Sequence, residues 1–190
     1  MTIERHPLQP FLPPHAHLLF LGSFPPPKAR WSMDFFYPNW INDFWRIMGF
    51  LYHSDKHFFE VKGEKRFNKA RIIEFATEKG FAFYDTASAV QRLKGNASDK
   101  FLQVVEPTCI PTLVAQLPQL KAIVATGEKA AETLCLQLQL PHTLQVGTFI
   151  KVPELGIELY RLPSSSRAYP LALEKKAAAY QAMLQRYGAK

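Results

Sequence analysis

The sequence predicts an α/β protein: a three-layer α/β/α sandwich built on a central, mainly parallel four-stranded sheet. Three observations predict it. Four short apolar runs, Leu18 to Leu21, Phe81 to Tyr84, Ala122 to Ala125 and Ile157 to Leu162, recur with helical material between them. The runs at 18–21 and 122–125 are apolar throughout rather than alternately, as suits strands covered on both faces. The chain has 190 residues and 47% hydrophobic content, which fits one domain spanning 1–190 with a sizeable core. Alternation of this kind points to right-handed crossovers, and ligands of such sheets bind beyond the carboxyl ends of the strands.

Taken in order, the first run ends abruptly in Gly22-Ser23-Phe24 and a rigid proline run, Pro25 to Pro27. Asp34 to Trp45 then packs six aromatics and two asparagines into 12 positions, a density that suggests a pocket for something flat. Helical spacing or composition is seen over Ile41 to Tyr52, Lys69 to Lys79, Pro111 to Leu117 and Glu128 to Leu138. Gly80 is placed to terminate the second of these, and Gly127 precedes the fourth. The second apolar run ends in Asp85, and Asp85-Thr86-Ala87-Ser88 reads as a loop at the same sheet edge as Gly22 to Pro27. The last run leads into Pro163-Ser164-Ser165-Ser166-Arg167-Ala168-Tyr169, followed by a terminal helix over Leu171 to Tyr187. No internal repeat, low-complexity tract or linker interrupts this order.

Lys and Arg total 23 against 16 acidic residues, a formal charge of +7, so a polyanion is a reasonable partner. The two cysteines, Cys109 and Cys135, form no CxxC pair and fall in segments read as helical, so buried free thiols are expected. The six histidines are scattered, and His15-x-His17 has no acidic or cysteine partners at metal spacing. Neither a metal nor an iron–sulfur cluster is expected, and no cofactor. The N-terminus lacks an apolar signal segment and no run is long enough to cross a bilayer, so a cytoplasmic protein is expected. A nucleotide-binding glycine fingerprint and a Gly-Lys-Ser/Thr loop are both missing, which weakens the reading as a small-molecule hydrolase or transferase on such a sheet.

The order, spacing and type of the three loops resemble the uracil-DNA glycosylase superfamily, and most closely its hypoxanthine-type and mismatch-specific branch. Gly22-Ser23-Phe24-Pro25 is similar to the Gly-Ser-Met-Pro of hypoxanthine-type members. Phe35 to Trp45 is similar to the family segment aromatic-Ala-His-Pro-x-Asn-x-Phe-Trp, with two extra residues before Asn42 and Tyr37 where His is usual. Leu162-Pro163-Ser164 corresponds to the last motif. The resemblance spans about residues 18 to 185.

It implies a monofunctional DNA repair enzyme, a monomer, that hydrolyses the N-glycosidic bond of a flipped-out deaminated base, hypoxanthine or uracil. On this reading Phe35 stacks on the base, with Phe36 as a substitute, and Phe24 and Tyr37 complete the base-binding wall. Phe24 stands where other branches carry the Asp or Asn that activates water, so Asn42 is expected to align it. An amide cannot deprotonate water near neutral pH, yet it can stabilise charge separation around an oxocarbenium-like cation. Ser23 offers its hydroxyl or backbone N–H to a base carbonyl. Ser164, Ser165 and Ser166 contact the flanking phosphates; Arg167 binds a phosphate or enters the gap, with Ala168 and Tyr169 as the wedge. Leu162 in place of His removes a group that stabilises a departing uracil anion, so weak or altered uracil activity is expected.

The residues alone leave blander roles open: core for Phe35 and Phe36, a helix start for Asn42, a turn for Ser23, a polar loop for the serines and Arg167. Asp85 is the alternative general base, or a cap. The basic residues Lys56, Lys62, Lys65, Arg66, Lys69 and Arg71 form either a phosphate-tracking face or a solvated one. A non-catalytic nucleic-acid-binding protein of the same fold, or a different hydrolase or transferase on such a sheet, are the competing readings.

Overall fold

The computed structural model describes residues 2–94, 99–141 and 143–189. Its main sheet has the strand order β3-β2-β6-β8-β7, formed by β2 (Leu18–Gly22), β3 (Phe81–Asp85), β6 (Ala122–Thr126), β7 (Phe149–Val152) and β8 (Ile157–Leu162). The four strands expected from the sequence are present and mutually parallel. A fifth, β7, is added antiparallel at the edge, where half-exposed Phe-Ile-Lys-Val carries no continuous apolar run. A second, antiparallel sheet is made by β1 (Ile3–Arg5), β4 (Ala87–Arg92) and β5 (Leu102–Pro107). Residues 87–88, expected in a loop, therefore begin a strand. Its small and polar side chains, half of them facing outward, give no core signal in the sequence.

Register decides where the strands end. Leu18 faces Phe81 on one side and Ala122 on the other, and Ala122 faces Glu158, so Gly22, Asp85, Thr126 and Leu162 reach the same edge together. The buried core is continuous across this sheet: Leu18 to Leu21, Phe81 to Phe83, Ala122 to Ala125 and Leu159 pack with Phe44, Trp45 and Tyr180. Phe20 and Phe83 stack at 5.4 Å between neighbouring strands, and Phe44 meets Phe20 edge-on at the same separation.

The helices are α1 (Phe44–His53), α2 (Lys69–Lys79), α3 (Ile110–Ala115), α4 (Glu128–Gln137) and α5 (Leu173–Arg186). Helix α2 occupies the predicted span because both of its ends are chemically marked. The Asn68 side chain accepts from the Arg71 N–H, and Gly80 takes the left-handed conformation at φ 67°. A Cβ at Gly80 would also lie 2.7 Å from His17 Nδ1.

Helix α1 starts at Phe44 rather than Ile41. The backbone there is engaged elsewhere: Asp43 N donates to Ser165 O, Arg167 N donates to Ile41 O, and Asn42 bridges to Ser166. The dense aromatic segment is therefore mostly core, with Trp45 Nε1 donating to Phe36 O at 2.9 Å. Cys135 is buried in α4 as expected, whereas Cys109 is exposed at the start of α3. No helix among the described residues is long and apolar enough to cross a membrane.

Candidate active site

A cleft of about 1080 Å³ opens at the common edge of the strands, at the upper limit of the roughly 300–1,000 Å³ usual for small-molecule sites. Its walls come from the segments that follow β2, β6 and β8 and from Asp85 at the end of β3, together with residues 35–39, Ile41 and Asn42, and with Leu8, Asp99 and Lys100. Of the twelve residues given a role by the resemblance, Ser23, Phe24, Phe35, Phe36, Tyr37, Asn42, Ser164, Ser165, Ser166, Ala168 and Tyr169 all line it. Arg167 does not. It turns to the buried carboxylate of Asp43, Nε donating to Oδ1 at 3.0 Å.

Each aromatic is held by neighbours that define what it presents to the cleft. Phe35 is enclosed by Phe11, Phe36, Trp45 and Phe83, and Phe36 stacks on Phe83 at 6.0 Å. Phe24 is held in a small core of its own with Ala87, Val90 and Leu102 of the second sheet, edge-on to His6 at 5.3 Å. Tyr37 sits at φ 53°, a conformation uncommon for a side chain with a Cβ. Its ring lies parallel to Phe44 at 3.9 Å and its hydroxyl is 2.7 Å from Thr126 Oγ1. Thr126 in turn donates to Leu21 O, so Tyr37 is the donor to Thr126. Burial pushes the Tyr37 hydroxyl well above its usual pKa, followed by the nearby Tyr180 and the charge of Asp85, so it stays neutral.

Asn42 has half of its amide committed. Its Oδ1 accepts from Phe44 N at 2.9 Å at the start of α1, which leaves the NH2 end as the group it can offer in the cleft. Asn39 Oδ1 similarly accepts from Ile41 N. Ser23, nearly buried, follows the strand end, and its carbonyl accepts from the Thr86 hydroxyl. The serine loop is pinned from behind by Lys176, whose buried ammonium donates to Ser166 O at 2.7 Å.

Asp85 is the one carboxylate at a strand end of the main sheet, and it lines the cleft. Oδ2 takes a 2.7 Å hydrogen bond from His6, while Oδ1 points toward Gly22, where a Cβ would lie only 2.7 Å away. Glycine at position 22 is what makes room for this oxygen. The backbone under Asp85 is braced as well: its carbonyl accepts from Thr108 Oγ1 at 2.7 Å.

Three functional contributions escaped sequence reasoning. His6 lies 79 residues from its partner, directly after a strand of three residues, and no local pattern marks it. Thr126 at the end of β6, with Gly127 and Lys129 after it, also lines the cleft; the signal was available, since the apolar run ends in a small polar residue and a glycine, as Leu21 is followed in the opposite order by Gly22-Ser23. The second sheet, which supports Phe24 and His6, has no run apolar enough to be found. Conversely, none of Lys56, Lys62, Lys65, Arg66, Lys69 or Arg71 touches the cleft; its cations are Arg30, Lys100, Lys129 and Arg161. Among the described residues no three His, Cys, Asp or Glu side chains are grouped to hold a metal.

No protein-family model and no curated protein matches the sequence. Among solved structures, one from Methanosarcina acetivorans, provisionally described as a uracil DNA glycosylase and determined by solution NMR, superposes with a TM-score of 0.69. The likeness covers 98% of this chain and 99% of that one at 21% identity. The fold is uracil-DNA-glycosylase-like. That fold places its strand ends, and hence the cleft, where the three loop motifs meet.

Proposed function

We propose that the protein is a monofunctional DNA glycosylase that hydrolyses the N-glycosidic bond of a deaminated base, hypoxanthine or uracil, turned out of the duplex into the cleft. The observation that carries this reading is the Asp85 carboxylate, with one oxygen held and the other directed to an aromatic-walled cleft at the strand ends of a uracil-DNA-glycosylase-like fold. Asp85 takes the part that Phe24 cannot play. As the C1′–N bond lengthens toward an oxocarbenium-like state, Asp85 orients a water, and the water oxygen adds to C1′. The water proton passes to Asp85 and the bonding electrons leave with the base. Asn42 contributes its NH2 to the departing base or to the cation's surroundings, a donor role rather than that of a base. Tyr37, neutral and anchored to Thr126, and Phe36 flank the flipped base. Ser164, Ser165 and Ser166 meet the adjoining phosphates.

End-labelled oligonucleotides carrying uracil, hypoxanthine, xanthine or a G·T mismatch, single- and double-stranded, test this directly after alkaline cleavage of the abasic product. Release at hypoxanthine or uracil is expected. Inactivity on every lesion alongside salt-sensitive DNA binding would establish a non-catalytic binding protein instead. Lys100 and Lys129 line the cleft outside the motif loops. A borohydride-stable DNA adduct would overturn the monofunctional assignment, and none is expected.

A further inference from the structure

The N-terminal strand carries a histidine to the rear of the cleft, and the placement is unusually well determined by its neighbours. Strand β1 pairs antiparallel with β4, and His6 N donates to Ser88 O at 2.8 Å, which fixes the backbone. The His6 side chain is 2% exposed and does not line the cleft. Its Nδ1 accepts from Leu8 N at 3.1 Å, so that nitrogen carries no proton. Nε2 is then the protonated nitrogen of the neutral ring, and it donates to Asp85 Oδ2 at 2.7 Å. Phe24 edge-on at 5.3 Å, Tyr84 tilted at 4.6 Å and Phe36 at 6.2 Å enclose the ring and set its plane.

We infer that His6 is a positioning residue for Asp85: it holds one carboxylate oxygen through Nε2–H, so that the other is presented to water at the base of the cleft. This rests on the glycosylase reading above, and it adds a task for a segment outside the three motif loops. The arrangement has the logic of an orienter behind a base, with the acid and the imidazole in exchanged places. A carboxylate free to rotate about its own χ angles would present either oxygen; tied at Oδ2 and confined by Gly22, it presents Oδ1. Tyr37, Tyr84 and Asp99 feel its charge, and among the described residues no Lys or Arg forms an ion pair with it.

Two variants separate this role from packing. His6→Phe keeps an aromatic ring among Phe24, Phe36 and Tyr84 and removes the donor; His6→Gln removes the ring and keeps an N–H at the ε position. With the oligonucleotide assay, His6→Phe is expected to lower kcat by about ten- to a hundredfold, the range for losing a hydrogen bond to a charged group. KM should change by less than about threefold, because the interaction is made to the reacting group and not to the substrate. The acid limb of the kcat/KM profile should move to higher pH, since the anion loses its donor. His6→Gln should recover most of the rate and return the limb.

If His6→Phe retains the wild-type rate and pH profile, or if both variants fall equally with an unmoved acid limb, the inference is wrong and His6 is a packing residue. Nitrogen-15 spectra of the wild-type histidines give a check that needs no variant: the Nε2–H tautomer is expected for His6, and an Nδ1–H tautomer overturns the inference. Failure of the underlying reading looks different, because the wild-type protein itself would then release no base from any lesion.

Discussion

At the scale of single residues, the cleft is decided by which atoms are already spoken for. Asn42 and Asp85 both reach it, yet Asn42 Oδ1 is bonded to the start of α1, while no hydrogen bond among the described residues holds Asp85 Oδ1. Their substitutions should therefore differ in kind. Asp85→Asn is expected to reduce kcat by about 10²–10⁴-fold, the span of a general base, with DNA affinity retained in a gel-shift assay. Asn42→Ala should reduce turnover less and also lower the melting temperature, since removing a helix-start acceptor costs about 1 kcal/mol. Gly22→Ala tests the space itself. The added methyl would meet Asp85 Oδ1 at 2.7 Å and push the carboxylate off its position, because His6 restrains the other oxygen. Lost turnover with a nearly unchanged melting curve is the expected outcome; wild-type turnover would show that the carboxylate position is immaterial.

Among elements, each motif loop owes its place to a partner distant in sequence. The segment before α1 and the serine loop before α5 exchange backbone hydrogen bonds, Asp43 N to Ser165 O and Arg167 N to Ile41 O. Helices α1 and α5 pack together behind them, with Phe44 edge-on to Tyr180 at 6.0 Å. The far end of α5 is fastened to β8 through Glu158, which accepts from Nε and Nη2 of Arg186 and from the Tyr187 hydroxyl at 2.8 Å. Arg186 holds the Glu158 carboxyl below its usual pKa, with Tyr187 and Lys151 adding to the effect. A carboxyl whose folded pKa is depressed stabilises the fold above its unfolded pKa and loses that contribution as the pH falls through the folded value. Glu158→Gln should thus flatten the acid side of the stability curve below about pH 4.5. At neutral pH it should cost no more than about 1 kcal/mol, or roughly 2–4 °C in Tm, as both partners are partly exposed. Melting curves from pH 3 to 7 provide the comparison, and parallel curves would exclude the linkage.

For the whole molecule, a formal charge of +7 favours a polyanion; in the cleft Arg30, Lys100, Lys129 and Arg161 stand beside Asp85, Asp99, Glu128 and Glu132, so Arg30, Lys100 and Lys129 are the groups that would meet phosphates at the strand ends. DNA affinity should fall linearly in log–log form with salt, with a slope of about −0.9 for each phosphate neutralised. Charge removal at Arg30 or Lys129 should weaken binding across sequences and reduce that slope by about 1 each, whereas Lys62 and Lys65, remote from the cleft, should leave it unaltered. Equal effects from both groups would move the DNA path away from the cleft.

The sequence by itself determined the parallel core, because strands buried on both faces must be apolar throughout, and Leu18 to Leu21 and Ala122 to Ala125 have no other use for that composition. It also determined α2, where Asn68 and Gly80 write the helix ends into local chemistry. The loops that would build a site were legible from the change of composition at each strand end, and eleven of the twelve residues they pointed to do line one cleft. Which of those residues are free to act was not legible. That depends on pairings such as Phe44 N with Asn42 and Asp43 with Arg167, and only the second of these joins residues far apart in the chain. The edge strand β7 and the sheet of β1, β4 and β5 stayed hidden for a related reason: short, half-exposed strands are stabilised by non-local backbone partners more than by their own side chains. Only the tertiary structure could bring His6 beneath Asp85, since a hydrogen bond across 79 residues is set by strand pairing and leaves no period in the sequence.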